Sequence, residues 1–131
     1  MLYPRAGRRS FRRGDAEMVE TADWQGQWAI HYDRLDGTKA EGLLILDSDR
    51  CVSGGDALCR YSGHYTVRDN TLLCDGVEMT SPSGLCVTPW GDEAATSQVV
   101  LWGRKAGAVI MGMMMNLGYP HLPFYMTRRE G

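Results

Sequence analysis

The chain is 131 residues long, 44% hydrophobic and 23% charged, with a formal net charge of −2. That is the size and composition of one ordinary globular domain, and the lack of a basic excess argues against a dedicated nucleic-acid binder. No apolar run reaches the length of a membrane span, so neither a membrane nor a nucleic acid is the expected partner.

Residues 1–23 differ from the rest. Arg5, Arg8, Arg9, Arg12 and Arg13 come first without an acid among them, followed by Asp15, Glu17, Glu20 and Asp23. This composition predicts a disordered or extended basic tail over 1–23, leaving a folded domain over 24–131. No apolar stretch of a secretion signal is present near the start, so the expected compartment is the cytoplasm. Cys51, Cys59, Cys74 and Cys86 hold no C-x-x-C spacing. Outside an oxidising compartment they are expected as four reduced thiols acting as small buried hydrophobes.

From Trp24 the hydrophobic period becomes two. Trp28, Ile30 and Tyr32 alternate with Gln27, Ala29 and His31, the pattern of a half-buried strand. Asp36-Gly37 is a hairpin signal. A second strand is predicted over 42–46 and a short third over 51–53, with Gly54-Gly55-Asp56 as a tight bend. Cys59, Tyr61, Gly63, Tyr65 and Val67 share one face of a fourth strand. After Asp69-Asn70, Leu73, Asp75, Val77 and Met79 alternate with Leu72, Cys74, Gly76 and Glu78 in a fifth.

Residues 80–97 contain Pro82, Gly84, Pro89 and Gly91, a stretch long for a structureless link. A short strand at 85–87 is expected inside it. Strands resume at 98–103 and 108–115, joined by a turn over Gly103–Gly107, and a last strand runs from about Leu122 to Thr127. Pro120 and Pro123 place its start at an edge or bulge. The sum is an all-β chain: a small antiparallel up-and-down barrel of about eight strands, closed so that no sheet edge is left bare.

Two local patterns are sharper than the strand count. Gly26-Gln27-Trp28 resembles the G-x-W signature of the calycin superfamily, the lipocalins and their relatives. The resemblance implies that Trp28 closes one barrel end, with a basic side chain near the last strand, here Arg128, packed over it. The order of an aromatic first strand, a Gly-led apolar second strand, Gly54-Gly55-Asp56 and then Tyr61-Ser62-Gly63-His64-Tyr65 resembles the GrlR family, lipocalin-like negative regulators of bacterial type III secretion. Ser81-Pro82-Ser83-Gly84 sits where that family has a proline-containing linker.

The GrlR resemblance implies a cytoplasmic homodimer that restrains a transcription activator by protein contact. That family makes the contact through an acidic run on one loop. The matching turn here is Val67-Arg68-Asp69-Asn70, without the run, so the activator-contacting site does not carry over.

No chemistry stands out beside this. His31, His64 and His121 are scattered without metal-ligand spacing, Asp47, Asp49, Asp92 and Glu93 sit in turns or loops, and no nucleophile elbow or phosphate loop is present. Asp75 is the single acid on an otherwise apolar strand face. The chain is therefore expected not to be an enzyme and to need no cofactor or metal. Met111, Met113 and Met115 share one strand face, which reads as core, as the lining for a small apolar ligand, or as a dimer face. The leading expectation is a homodimeric regulatory barrel acting on another protein; the alternative is a calycin barrel binding a small apolar ligand.

Overall fold

The computed structural model describes residues 22–84 and 86–129. Nearly all of the predicted tail over 1–23 lies outside these, as does Leu85 of the expected 85–87 strand. The described chain is nearly all strand and turn: β1 (Gly26–Asp33), β2 (Lys39–Leu46), β3 (Cys51–Gly55), β4 (Arg60–His64), β5 (Thr66–Arg68), β6 (Thr71–Thr80), β7 (Cys86–Val87), β8 (Glu93–Ala94), β9 (Thr96–Ala106), β10 (Val109–Met115) and β11 (Leu122–Arg129).

The pairing order is β4-β3-β2-β1-β11-β10-β9-β6-β5, and β4 also pairs with β6. The sheet therefore closes on itself as an eight-stranded antiparallel barrel. Sequence neighbours are spatial neighbours throughout, so it is an up-and-down meander sealed by β1 against β11. β4 and β5 act as one wall strand, broken at Tyr65, and both pair with β6. β7 and β8 form a separate two-stranded hairpin.

A meander sorts its connections between two ends. The β1–β2, β3–β4, β6–β9 and β10–β11 links lie at one end, called here the mouth. The β2–β3, β5–β6 and β9–β10 turns lie at the other, with the start of β1 and the end of β11. Inward positions alternate with outward ones. Trp28, Ile30 and Tyr32 of β1, Leu44 and Leu46 of β2, and Leu122, Phe124 and Met126 of β11 fill one buried core with their counterparts on the other strands.

Several expected boundaries and faces differ. β2 starts at Lys39 and β11 ends at Arg129, because each continues its pairing with β1. Gly54 and Gly55 are not a bend: they pair with Leu44 and Leu43 inside β3, and the corner falls at Asp56–Leu58. Gly54 has φ of +114°, and a Cβ there would stand 2.1 Å from the Leu43 carbonyl oxygen. β9 runs through Gly103 to Ala106, leaving Gly107-Ala108 as a two-residue hairpin turn.

On β6 the expected alternation breaks. The register with β9 shifts between Cys74 and Val77. This bulge lets Leu72 and Cys74 share the inner face with Val77 and Met79, while Leu73, Asp75 and Glu78 are exposed. Asp75 therefore does not share the buried face with Val77 and Met79, as strict alternation had placed it.

Candidate functional site

The barrel end opposite the mouth is built around Trp28. Its ring is fully buried, its Nε1 donates to the Trp24 carbonyl (2.8 Å), and the Arg128 guanidinium carbon stands 4.1 Å from the ring centre. β1 and β11 pair Trp28 directly with Arg128, which makes the stack a cross-strand contact. Arg128 also donates to the carbonyls of Asp23 (2.6 Å) and Gln25. Gly26 leaves room for it, since a Cβ there would lie 2.7 Å from Arg128 Nη1. Trp24 is buried alongside, with Lys105 Nζ 5.6 Å from its ring centre. Two indoles and two cationic side chains thus cork this end.

At the mouth, the Asp56 corner holds the motif together. Asp56 Oδ1 accepts from the backbone N–H of Leu58 (2.8 Å) and Cys59 (2.7 Å), and Oδ2 accepts from Tyr61 Oη (2.8 Å). Tyr65 Oη donates to the Asp47 carbonyl (2.6 Å). Burial raises the phenols: Tyr32 and Tyr65 to about 12, and Tyr61 further, reinforced by the charges around it. A phenol locked neutral against a carboxylate that is itself bonded to backbone is a structural brace. At Gly63 the close neighbour is the β6 backbone, 3.2 Å from Val77 Cα to an added Cβ. Gly26, Trp28 and Arg128 meet at one end. Gly54, Gly55, Asp56 and Tyr61 meet at the mouth, and Gly63 and Tyr65 sit along the wall between.

The mouth is covered by the segment after β6. The β7–β8 hairpin turns at Thr88–Gly91, and Pro89 and Trp90 are buried against the barrel. Leu35 N–H donates to the Pro89 carbonyl (3.0 Å), and Trp90 Nε1 donates to the Pro120 carbonyl (2.6 Å). Tyr119 packs on Trp90 with ring centres 5.2 Å apart and donates to Asp92 Oδ2 (2.5 Å). The hairpin is a lid fastened to the β1–β2 and β10–β11 loops. Its sequence signals are the short strand expected near 85–87 and Pro89-Trp90-Gly91 inside a link too long to be idle.

Between cork and lid the lumen is nearly filled. A cavity of about 20 Å³ remains among Ile30, Tyr32, Leu44, Tyr61, Met79 and Pro89, with Met114 also on its wall. That is room for about one water molecule.

Met111, Met113 and Met115 do not line this lumen. Ile110 and Met114, buried, face it from β10, and the other three methionines lie on the outer side. Met113 is cross-strand from Trp102 and Pro123, and Trp102 from Leu73. Met111 is cross-strand from Tyr125. Leu73, Trp102, Met111 and Tyr125 are 38%, 41%, 63% and 46% exposed. An apolar patch thus runs across β6, β9, β10 and β11. The outward positions of β3 and β4 include Ser53, Arg60, Ser62 and His64, so the opposite wall is polar.

His31 stacks on Tyr125 (4.7 Å between ring centres) and lies 3.7 Å from Glu41; His64 and His121 are exposed. Among the described residues no three metal-ligating side chains come together. Asp47 Oδ1 accepts from the N–H groups of Asp49 and Cys51, shaping the β2–β3 turn. Cys59, Cys74 and Cys86 are buried thiols, but Cys51 is only half-buried, because its turn stands at the barrel rim. No helix among the described residues is long and apolar enough to cross a membrane.

The fold is that of a small closed barrel compatible with the lipocalin-like class. Against known proteins, no family model and no curated protein matches the chain.

Proposed function

We propose that this chain is a non-enzymatic interaction protein, working as a homodimeric barrel in a regulatory role of the kind that the likeness to the GrlR family implies. The observation that carries the reading is the pairing of a filled lumen with an apolar outer patch. A barrel that uses its lumen needs space for a ligand, and about 20 Å³ offers none of useful size. The large exposed side chains Trp102, Met111 and Tyr125 instead gather on one side of the outer wall. Patches of this kind mark contact surfaces.

A second copy of the chain is the occupant that suits the patch. The Leu73–Trp102–Met113–Pro123 row contains no charge, so two such rows meet without like-charge repulsion or a buried unpaired ion. The strands concerned are interior to a closed sheet, so the partner packs on side chains and cannot add a strand. Two-fold pairing is the simplest closed arrangement. The reading is tested by light scattering on the full chain across a wide concentration range. A mass near twice the monomer is expected, and a monomer at the highest concentration overturns it. The small apolar ligand is the second reading. It requires the lid to leave the mouth and the lumen to widen, and saturable binding of a fatty acid by the full chain would favour it instead.

A further inference from the structure

One cross-strand row on the outer wall runs through the apolar patch and past it. The pairing sets Arg104 of β9, Met111 of β10, Tyr125 of β11, His31 of β1 and Glu41 of β2 side by side. None of the five is buried. The row has a cation at one end and a carboxylate at the other. The His31 imidazole lies stacked on Tyr125, with 16° between the ring planes, and Glu41 Oε2 leans to within 3.7 Å of His31 Nδ1. The carboxylate is thereby held close to the two rings. Beside the row the wall sinks into a groove of about 520 Å³, bounded on its other side by Lys39, Asp33 and Pro123. Arg104 stands one strand beyond Met111 at the apolar end. Exposed rings beside a carboxylate suit a guanidinium, which stacks on aromatic faces and donates paired N–H bonds to carboxylates.

We propose that this groove receives the Arg104 guanidinium of a second copy, with the two-fold axis of the dimer running along β10. The proposal rests on the dimer reading above and adds how the two faces meet. A convex barrel wall touches its copy along one strand and falls away on both sides. With the axis along β10, Met111 and Met113 meet the partner's Met111 and Met113. The β9 strand of each copy then lies over β11 of the other. In the observed register Trp102 stands over the partner's Pro123, and Arg104 over the partner's Tyr125. The wedge that opens there has room for a long side chain, and symmetry fills it twice. Each guanidinium lies on the partner's ring beside the partner's Glu41, so no cation is buried alone. An axis between β9 and β10 would instead set each guanidinium on the partner's Met111, away from any carboxylate, and leave both grooves empty. The row thus carries both halves of one contact, a cation and its receptor, and a second copy supplies each to the other.

The test is a charge swap on the full chain, read as the dimer dissociation constant by analytical ultracentrifugation. Arg104→Glu sets a carboxylate against the partner's Glu41 in each groove and should weaken association about a hundredfold. Glu41→Arg sets two guanidinium groups together and should weaken it by a similar factor. The chain carrying both substitutions restores opposite charges and should return to within about tenfold of the original constant. Both positions are exposed, so all three variants should keep the original urea midpoint in dilute solution. An unsubstituted chain that stays monomeric removes the dimer reading and this pairing with it. A dimer that Arg104→Glu leaves at full strength, or that the double substitution fails to restore, overturns the Arg104 contact and leaves the dimer reading standing.

Discussion

Arg128 and Trp28 face each other across the seam where the barrel closes, one on β11 and one on β1, with the guanidinium over the indole. The seam joins the first wall strand to the last, so its pairing comes from residues about a hundred positions apart. A cross-strand stack at its end fixes register there, and the two carbonyl bonds from Arg128 draw the segment before β1 into the same cork.

Removing either member should loosen the seam unequally. Trp28→Ala deletes a fully buried indole and should cost about 3–5 kcal/mol. Arg128→Ala loses the stack and charge-assisted bonds and should cost about 1–3 kcal/mol. Urea midpoints of the two variants check this; an unchanged midpoint for Trp28→Ala would show that the cork is not part of the cooperative core.

A second test concerns close backbone approach. Gly112 pairs with Gly103, and an added Cβ at 112 would lie 1.8 Å from the Trp102 carbonyl oxygen. Backbone cannot yield there without opening the β9–β10 ladder. Gly112→Ala is expected to reduce soluble yield and lower stability by more than about 2 kcal/mol. Gly84→Ala, at a turn with φ of +81° and nothing within 4 Å, should cost only about 1–2 kcal/mol of backbone strain. Equal effects at the two sites would contradict this account.

The same residues show what could be read from sequence. The period of two in Trp28–Ile30–Tyr32 and in Cys59–Tyr61–Gly63–Tyr65–Val67 gave the inner face of the wall, since alternation is all that such strands require. The β6 bulge left no such trace. One extra residue reverses the phase, and Gly76 is consistent with either reading. The lid was visible as an overlong link with a short strand near 85–87, but its docking was not, because its hydrogen bonds run from indole, phenol and backbone to distant loops. The outward position of Met111, Met113 and Met115 was open because Ile110 and Met114 make the other face equally apolar.

Alkaline pH should unfold the barrel through its phenols. Tyr32 and Tyr65 ionise near 10 when unfolded and near 12 when folded, with Tyr61 higher still. A raised folded pKa means that the neutral form is the one the fold accepts. Their contribution is whole below about pH 10 and is lost as pH rises from there through 12, because the unfolded state ionises first. Absorbance titration at alkaline pH should show these tyrosines ionising together with loss of far-ultraviolet strand signal. Independent titration of all the tyrosines in a folded protein would refute the assignment.

The last prediction separates the two faces of β10. Ile110 and Met114 are buried and support the core, whereas Met111 is 63% exposed on the outer patch beside Tyr125. A charge at 111 is solvated in a monomer and leaves the lumen untouched, so Met111→Glu should change the urea midpoint of a dilute sample by no more than about 0.5 kcal/mol. In a dimer built on this face the same carboxylate, twice over, would be drawn out of water into an apolar contact, with the cross-strand Arg104 as its one cationic neighbour, and association should weaken. Ile110→Ala should do the opposite: it should lower stability by about 2–5 kcal/mol and leave the mass of the remaining folded protein unchanged. Scattering and denaturation on the two variants give four readings. If Met111→Glu keeps the dimer mass, the contact lies elsewhere on the wall and the outer patch is not the interface. If Ile110→Ala alone dissociates the protein, association depends on core integrity and the patch is a bystander. Loss of mass in Met111→Glu without loss of stability is the result that only a dimer across the β9–β11 face produces.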